Sequence, residues 1–239
     1  ILDIEGKDYI DTGYTEWGAS GLAAVWAENN TRESIYEAFR RKETFATSGS
    51  RIKVRFFGGY NLEKILEEGD PIKYAYANAS SMGSDILQNQ NQVPEFMVWA
   101  VRDLKRAPLD RVQIIKGWTE LSGKPHEKVY DVACSDGRKA NIKTGLCKDS
   151  RAKVNLSNCK ISKNFGADEL KVVWKDPDFN PNLKAFYYVR VLENPTCRWS
   201  TWDAIKSGEK PRGDLPSTIQ ERAWTCLLYT SPSPRDLAV

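Results

Sequence analysis

Between residues 94 and 194 the apolar positions come in short runs, each closed by Gly, Pro, Asn or Asp. The runs are PEFMVWAVRD (94–103), DRVQIIKGW (110–118), EKVYDVAC (127–134), ELKVVWKD (169–176) and AFYYVRVLEN (185–194), with LSGKP, SDGRKANIKTG and DPDFNPN between them. Such punctuation predicts antiparallel strands in a sandwich-like unit. Upstream the pattern differs. GLAAVWAEN (21–29) is a continuous apolar run, which predicts a strand buried on both faces. In NTRESIYEAFRRKE, Ile35, Ala38 and Phe39 recur at helical spacing. Asn30 and Glu33 have the spacing of a capping box, and Arg40, Arg41 and Lys42 crowd the last turn, where cations complement the helix dipole. In TFATSGSRIKVRFFGGY, Ile52, Val54 and Phe56 alternate with Arg51, Lys53 and Arg55, as in a strand. Strand, helix, strand predicts one βα unit. NLEKILEEGDP then reads as a short helical or loop stretch leading into the β runs. A division near residue 60 follows: a closing βα piece, then a β-rich domain over 61–225.

Composition adds limits. Apolar residues make up 41% and charged residues 28%, enough for a packed core. The net charge of +3, interleaved with acids, marks neither a nucleic-acid nor an anionic-membrane partner. No apolar run is long enough to span a bilayer. The opening ILDIEGKDYIDTGY has neither a start Met nor an apolar signal region and reads as the middle of a longer protein. The single histidine, His126, lies in the turn-like SGKPHEK and is expected to be an exposed loop residue. With one histidine and no HxH, HExxH or CxxC, these residues are expected to hold no metal or cofactor site of their own. GxSxG and Walker patterns are absent as well.

Cys134, Cys147, Cys159 and Cys197 lie in the β region, and three pairings are open to them. Cys134 and Cys147 bracket a polar loop; Cys159 with Cys197 would staple a strand edge to ENPTCRW. Disulfides here imply an oxidising compartment such as the periplasm. Candidate chemistry sits at two strand ends. Glu28 and Arg32 lie between the first strand and its helix; Thr47, Ser48 and Arg51 lie in the turn TSGSR, where hydroxyls and a cation can face an anion. Most tryptophans fall inside strands and are expected in the core. RWSTWD (198–203), a predicted turn, leaves Trp199 and Trp202 as a candidate stacking pair for a sugar.

The stretch 21–60 resembles the domain of unknown function 3604 family. VQIIKGW (112–118), EKVYDVACSDGRK (127–139), VVWKDPDFNP (172–181), FYYVRVLENPTCRWSTWD (186–203) and IQERAWT (219–225) fit the same family, so the likeness covers most of residues 17–225. The family is similar in turn to the polymerase and histidinol phosphatase metal-dependent hydrolases of bacteria. That resemblance implies a (β/α) barrel-like domain with a multinuclear site of His and Asp. Its His-x-His and Asp/His motifs are expected upstream of Ile1, so the divalent metal belongs to the missing N-terminal part. The implied architecture is α+β and mostly β. Residues 1–60 form the terminal βα unit of a barrel-like α/β hydrolase domain, and 61–225 an antiparallel β-sandwich-like domain. The implied partners are the upstream barrel of the same chain and a small-molecule or ester substrate, with phosphoesters the leading class. This piece alone is expected to be inactive, and Glu28, Arg32, Thr47, Ser48 and Arg51 to lie near the barrel rim. The rival expectation is a carbohydrate or cell-surface binding module attached to an enzyme. Finally, CLLYTSPSPRDLAV (226–239) resembles the translation of a sequencing-library adapter. It is expected to be a non-native tail, which would remove Cys226 from the count.

Overall fold

All five runs between 94 and 194 form strands in the computed structural model, which describes residues 2–4, 6–9, 16–86 and 92–230. The strands that build the two main sheets are β1 (Leu22–Val25), β2 (Thr44–Thr47), β3 (Lys53–Gly59), β4 (Ser80–Ser81), β5 (Glu95–Val101), β6 (Leu109–Thr119), β7 (Pro125–Cys134), β8 (Glu169–Lys175), β9 (Ala185–Glu193), β10 (Arg222–Thr225) and β11 (Leu228–Tyr229). Helices α1 (Arg32–Arg40), α2 (Pro71–Asn78) and α3 (Trp199–Lys206) lie between them. The larger sheet has the order β1-β2-β10-β9-β6-β7, with β11 also paired to β9; the smaller has the order β8-β5-β3-β4. Every ladder between these strands is antiparallel. The chain is therefore mostly β, as the turn-punctuated pattern predicts.

The sheets pack face to face, burying one side of each. Val54, Phe56, Phe96 and Val98 from the smaller sheet meet Ile114, Tyr187, Val189 and Val191 from the larger. Burying each such large side chain contributes about 1.5–3 kcal/mol. On β9 the period of two is regular: Ala185, Tyr187, Val189, Val191 and Glu193 are buried, and their neighbours are half-buried. Phe57 and Met97 point the other way, onto Leu62, Ile65 and Ala75. The smaller sheet is thus covered on both faces, with α2 forming a third layer. One end of the sandwich is closed by a buried ion pair, Lys116 Nζ to Asp176 Oδ2 at 2.6 Å, with the Tyr187 hydroxyl donating to the same oxygen at 2.7 Å. The carboxylate supplies the partners that these buried donors need. Two disulfides are formed, Cys134–Cys147 and Cys159–Cys197, while Cys226 is free and half-buried.

Several expectations are corrected. β1 is not a strand buried on both faces but an edge strand with Leu22 exposed. It lies antiparallel to β2, so the strand–helix–strand run is not a parallel crossover. A short apolar run has no periodicity that separates these cases. The cap of α1 is Thr31, not Asn30: its side chain accepts from Ser34 N, three residues on, because the first helical residue is Arg32. Of the predicted apolar stripe on α1 only Ala38 is buried; Phe39 is exposed. The predicted division near residue 60 does not coincide with a break in the sheets. β2 pairs with β10, and β3 pairs with β5, so segments on either side of it share both sheets. His126 lies in β7 rather than in a loop; its ring stacks on Trp118 at 5.2 Å and Nε2 is 2.6 Å from Glu120 Oε1. RWSTWD is not a turn: Trp199 to Asp203 begin α3. The stretch from 226 continues into the fold for its first residues. Cys226 N donates to Thr44 O at 2.9 Å and Leu228 is fully buried, whereas 231–239 lie outside the described residues.

Candidate functional site

The α1–β2 turn buries a carboxylate. Lys42 adopts a left-handed conformation (φ 56°), which turns the chain sharply so that Glu43 N donates back to Ala38 O at 3.0 Å. The Glu43 side chain is then only 4% exposed, and a buried charge requires partners. It has four. Ser81 Oγ donates to Oε1 at 2.7 Å and the Tyr76 hydroxyl donates to the same oxygen. Arg41 Nη2 lies 3.4 Å from Oε2, and Arg55 Nη1 lies 3.9 Å from Oε1.

Arg41 shares the turn with Glu43, and the other three partners are each held by an element of their own. Tyr76 comes from α2, which starts at Pro71 and is capped by Asp70 accepting from Lys73 N at 3.0 Å. Ser81 comes from β4. The loop after it can reach the α1–β2 turn because residue 83 is glycine, with φ +90°. A Cβ there would stand 2.4 Å from Lys42 O. Arg55 projects from β3, donates to the Tyr76 hydroxyl, and lays its guanidinium 3.6 Å from the centre of the Trp26 ring. Trp26 is itself fixed by Nε1 donating to Val54 O at 2.8 Å. Burial, then the bond to Glu43, pushes the Tyr76 phenol up to about 12, so it stays protonated at neutral pH.

These groups wall a cleft of ≈660 Å³, with Glu28 on its exposed rim. Arg41 and Arg55 face the buried Glu43 carboxylate, and Glu28 adds a second carboxylate at the exposed rim, so the formal charges of the lining balance. Guanidinium forks and hydroxyls suit an anionic group with several acceptor oxygens. They do not suit a divalent metal. Glu43 is already surrounded by cations and donors, and among the described residues no group of three or more His, Cys, Asp or Glu can hold a metal ion.

The five residues expected at the rim do not converge. Glu28 reaches the cleft, whereas Arg32 lies on α1 along a shallow groove with Ile35, Tyr36 and Phe39. Thr47 is buried in β2, its hydroxyl accepting from Gly49 N at 3.2 Å. Ser48 donates to the Glu221 carboxylate and accepts from Arg222 N at 2.9 Å, tying the turn to β10. Arg51 N donates to Asp103 Oδ2 at 3.0 Å. Thr47, Ser48 and Arg51 thus hold a turn together. Trp199 and Trp202 share α3. Trp199 Nε1 donates to Trp17 O at 2.9 Å, and Trp202 is exposed beneath Lys206. Arg41, Glu43, Arg55, Tyr76 and Ser81 were not legible as a site. In the sequence, Arg41 reads as a helix-end cation and Arg55 as the solvent side of an alternating strand.

The family model described as "Protein of unknown function (DUF3604)" matches residues 3–232. No curated protein and no solved structure matches the chain.

Proposed function

We propose, for a chain that belongs to the DUF3604 family, a role as the anion-binding wall of a metal-dependent hydrolase that acts on phosphoester-type substrates. The observation that carries this reading is the pair Arg41 and Arg55 facing one buried carboxylate across an open cleft. Arg55 is held by Trp26 and Tyr76 before any ligand arrives, so little side-chain freedom is lost on binding. Tyr76, remaining a phenol, keeps Glu43 in place and does not act as a base at neutral pH. In this role the residues described bind and orient; the metal chemistry belongs to other parts of the hydrolase.

Two surface features support a contact with such a domain. Among the described residues β1 pairs with β2 alone and has no strand on its other edge, and α1 beside it exposes Tyr36 and Phe39. The two disulfides support a periplasmic or extracellular setting. No helix among the described residues is long and apolar enough to cross a membrane.

Calorimetric titration with inorganic phosphate at low salt tests the reading. We expect saturable one-to-one binding, weakened about tenfold or more by Arg41→Ala, since a charge-assisted hydrogen bond is lost. Arg41 is half-exposed, and without it Glu43 keeps Arg55, Tyr76 and Ser81 as partners. Absence of saturable binding to the unaltered chain would sink the proposal.

A further inference from the structure

The cleft does not end at Arg55. A smaller groove of ≈170 Å³ opens against the same pair, Trp26 and Arg55, and is otherwise lined by Lys53, Ile72, Trp99 and Val101. The two cavities therefore have one side-chain pair in common, a guanidinium stacked on an indole. Their chemistry is opposite. One side offers guanidinium and hydroxyl groups around Glu43. The other offers indole, branched aliphatic surface and the methylene stem of a lysine.

The groove is built on rigid elements. In the β3–β5 ladder Arg55 lies directly opposite Trp99 and Lys53 opposite Val101, so all four share one face of the smaller sheet. Trp99 is oriented by Nε1 donating to Glu169 Oε1 at 2.5 Å, with Lys171 Nζ 3.8 Å from its ring centre. Trp26 is backed by Phe45, 5.6 Å away between ring centres. Fixed apolar walls bind without first losing their own freedom. A volume of this size, close to the roughly 150 Å³ cavity that takes up benzene, admits one aromatic ring and little more.

We propose that this groove is the subsite for a compact apolar group, about one aromatic ring in size, carried on the same molecule whose anionic group lies between Arg41 and Arg55. The ligand class is then an aryl phosphoester or one with a similarly compact apolar substituent. The proposal rests on the anion-binding reading of the cleft and adds the second half of the substrate. Arg55 serves both halves, its N–H edge toward the anion and its face against Trp26.

The test compares inorganic phosphate, methyl phosphate and phenyl phosphate on the full chain. We expect phenyl phosphate to bind about tenfold more tightly than methyl phosphate, the value of burying most of one ring. Trp99→Ala should erase that difference while leaving inorganic phosphate unaffected, and Arg41→Ala should weaken all three. Val101→Phe, which fills the groove rather than emptying it, should also erase the difference and guards against a folding defect in the tryptophan variant. If inorganic phosphate binds but the phenyl and methyl esters bind alike, the groove proposal is wrong and the anion reading stands. If none of the three binds, both are wrong.

Discussion

Glu193 ends β9 fully buried, and among the described residues neither of its carboxylate oxygens has a hydrogen-bond partner. Ser50, equally buried, stands close enough to act on it, yet its hydroxyl makes no hydrogen bond of normal geometry. Glu221 and Asp103 add negative charge nearby, and Arg106 opposes them. Burial is the largest influence and pushes the Glu193 carboxyl up to about 8 from an ordinary 4.5. The folded chain thus keeps a proton that the unfolded chain releases near its ordinary value. Stability from this group is greatest below that value, falls as pH rises toward about 8, and then levels off. Glu193→Gln should flatten that fall, read from urea midpoints across about pH 5–9. An unchanged slope in the variant would refute the assignment. In the sequence neither Glu193 nor Glu43 is marked out, each an acid followed by a polar residue. Burial brings four partners to one and none to the other, and no local pattern encodes that difference.

At the scale of elements, β5 to β9 were legible because alternation and turn residues report the same structure. α2 was hidden. Its Asp70–Pro71 start closes a stretch that reads as short helix or loop, yet the carboxylate caps Lys73 N and the proline occupies the first turn, where its missing N–H costs nothing. The cysteine spacings left three pairings open, and the fold selects two local staples. Cys159–Cys197 closes the longer separation, 38 residues against 13 for Cys134–Cys147. Loop entropy assigns them upper values of about 4 and about 3 kcal/mol. Cys197 also lies two residues before α3, next to its N-cap Arg198, so the longer staple anchors that helix. Replacing Cys159 and Cys197 by Ser should lower the melting temperature more than replacing Cys134 and Cys147. Equal or reversed losses would show that loop length does not govern these bridges.

Across the whole molecule, segments distant in sequence are interleaved. β3 lies between β5 and β4 in the smaller sheet, and β2 lies between β1 and β10 in the larger. A chain of residues 61–225 would lack β1, β2 and β3 and expose Phe96 and Val98, whose partners include Phe56 and Val54. Such a chain should show no cooperative melt and no near-ultraviolet dichroism. A sharp transition at the temperature of the full chain would restore an independent domain beyond residue 60. The sequence by itself determined the mostly β character, the antiparallel habit and most strand positions, because alternation and turn chemistry are local. Its longer motifs also carried the family. Only the tertiary structure decided the sheet order, the mixing of the two predicted domains and the cleft. Arg55, Tyr76 and Ser81 converge on Glu43 from three separate elements, joining Arg41 of its own turn, and the glycine that lets the last of them approach meets a backbone 41 residues away. Convergence of that kind is a property of packing, which no single stretch of sequence contains.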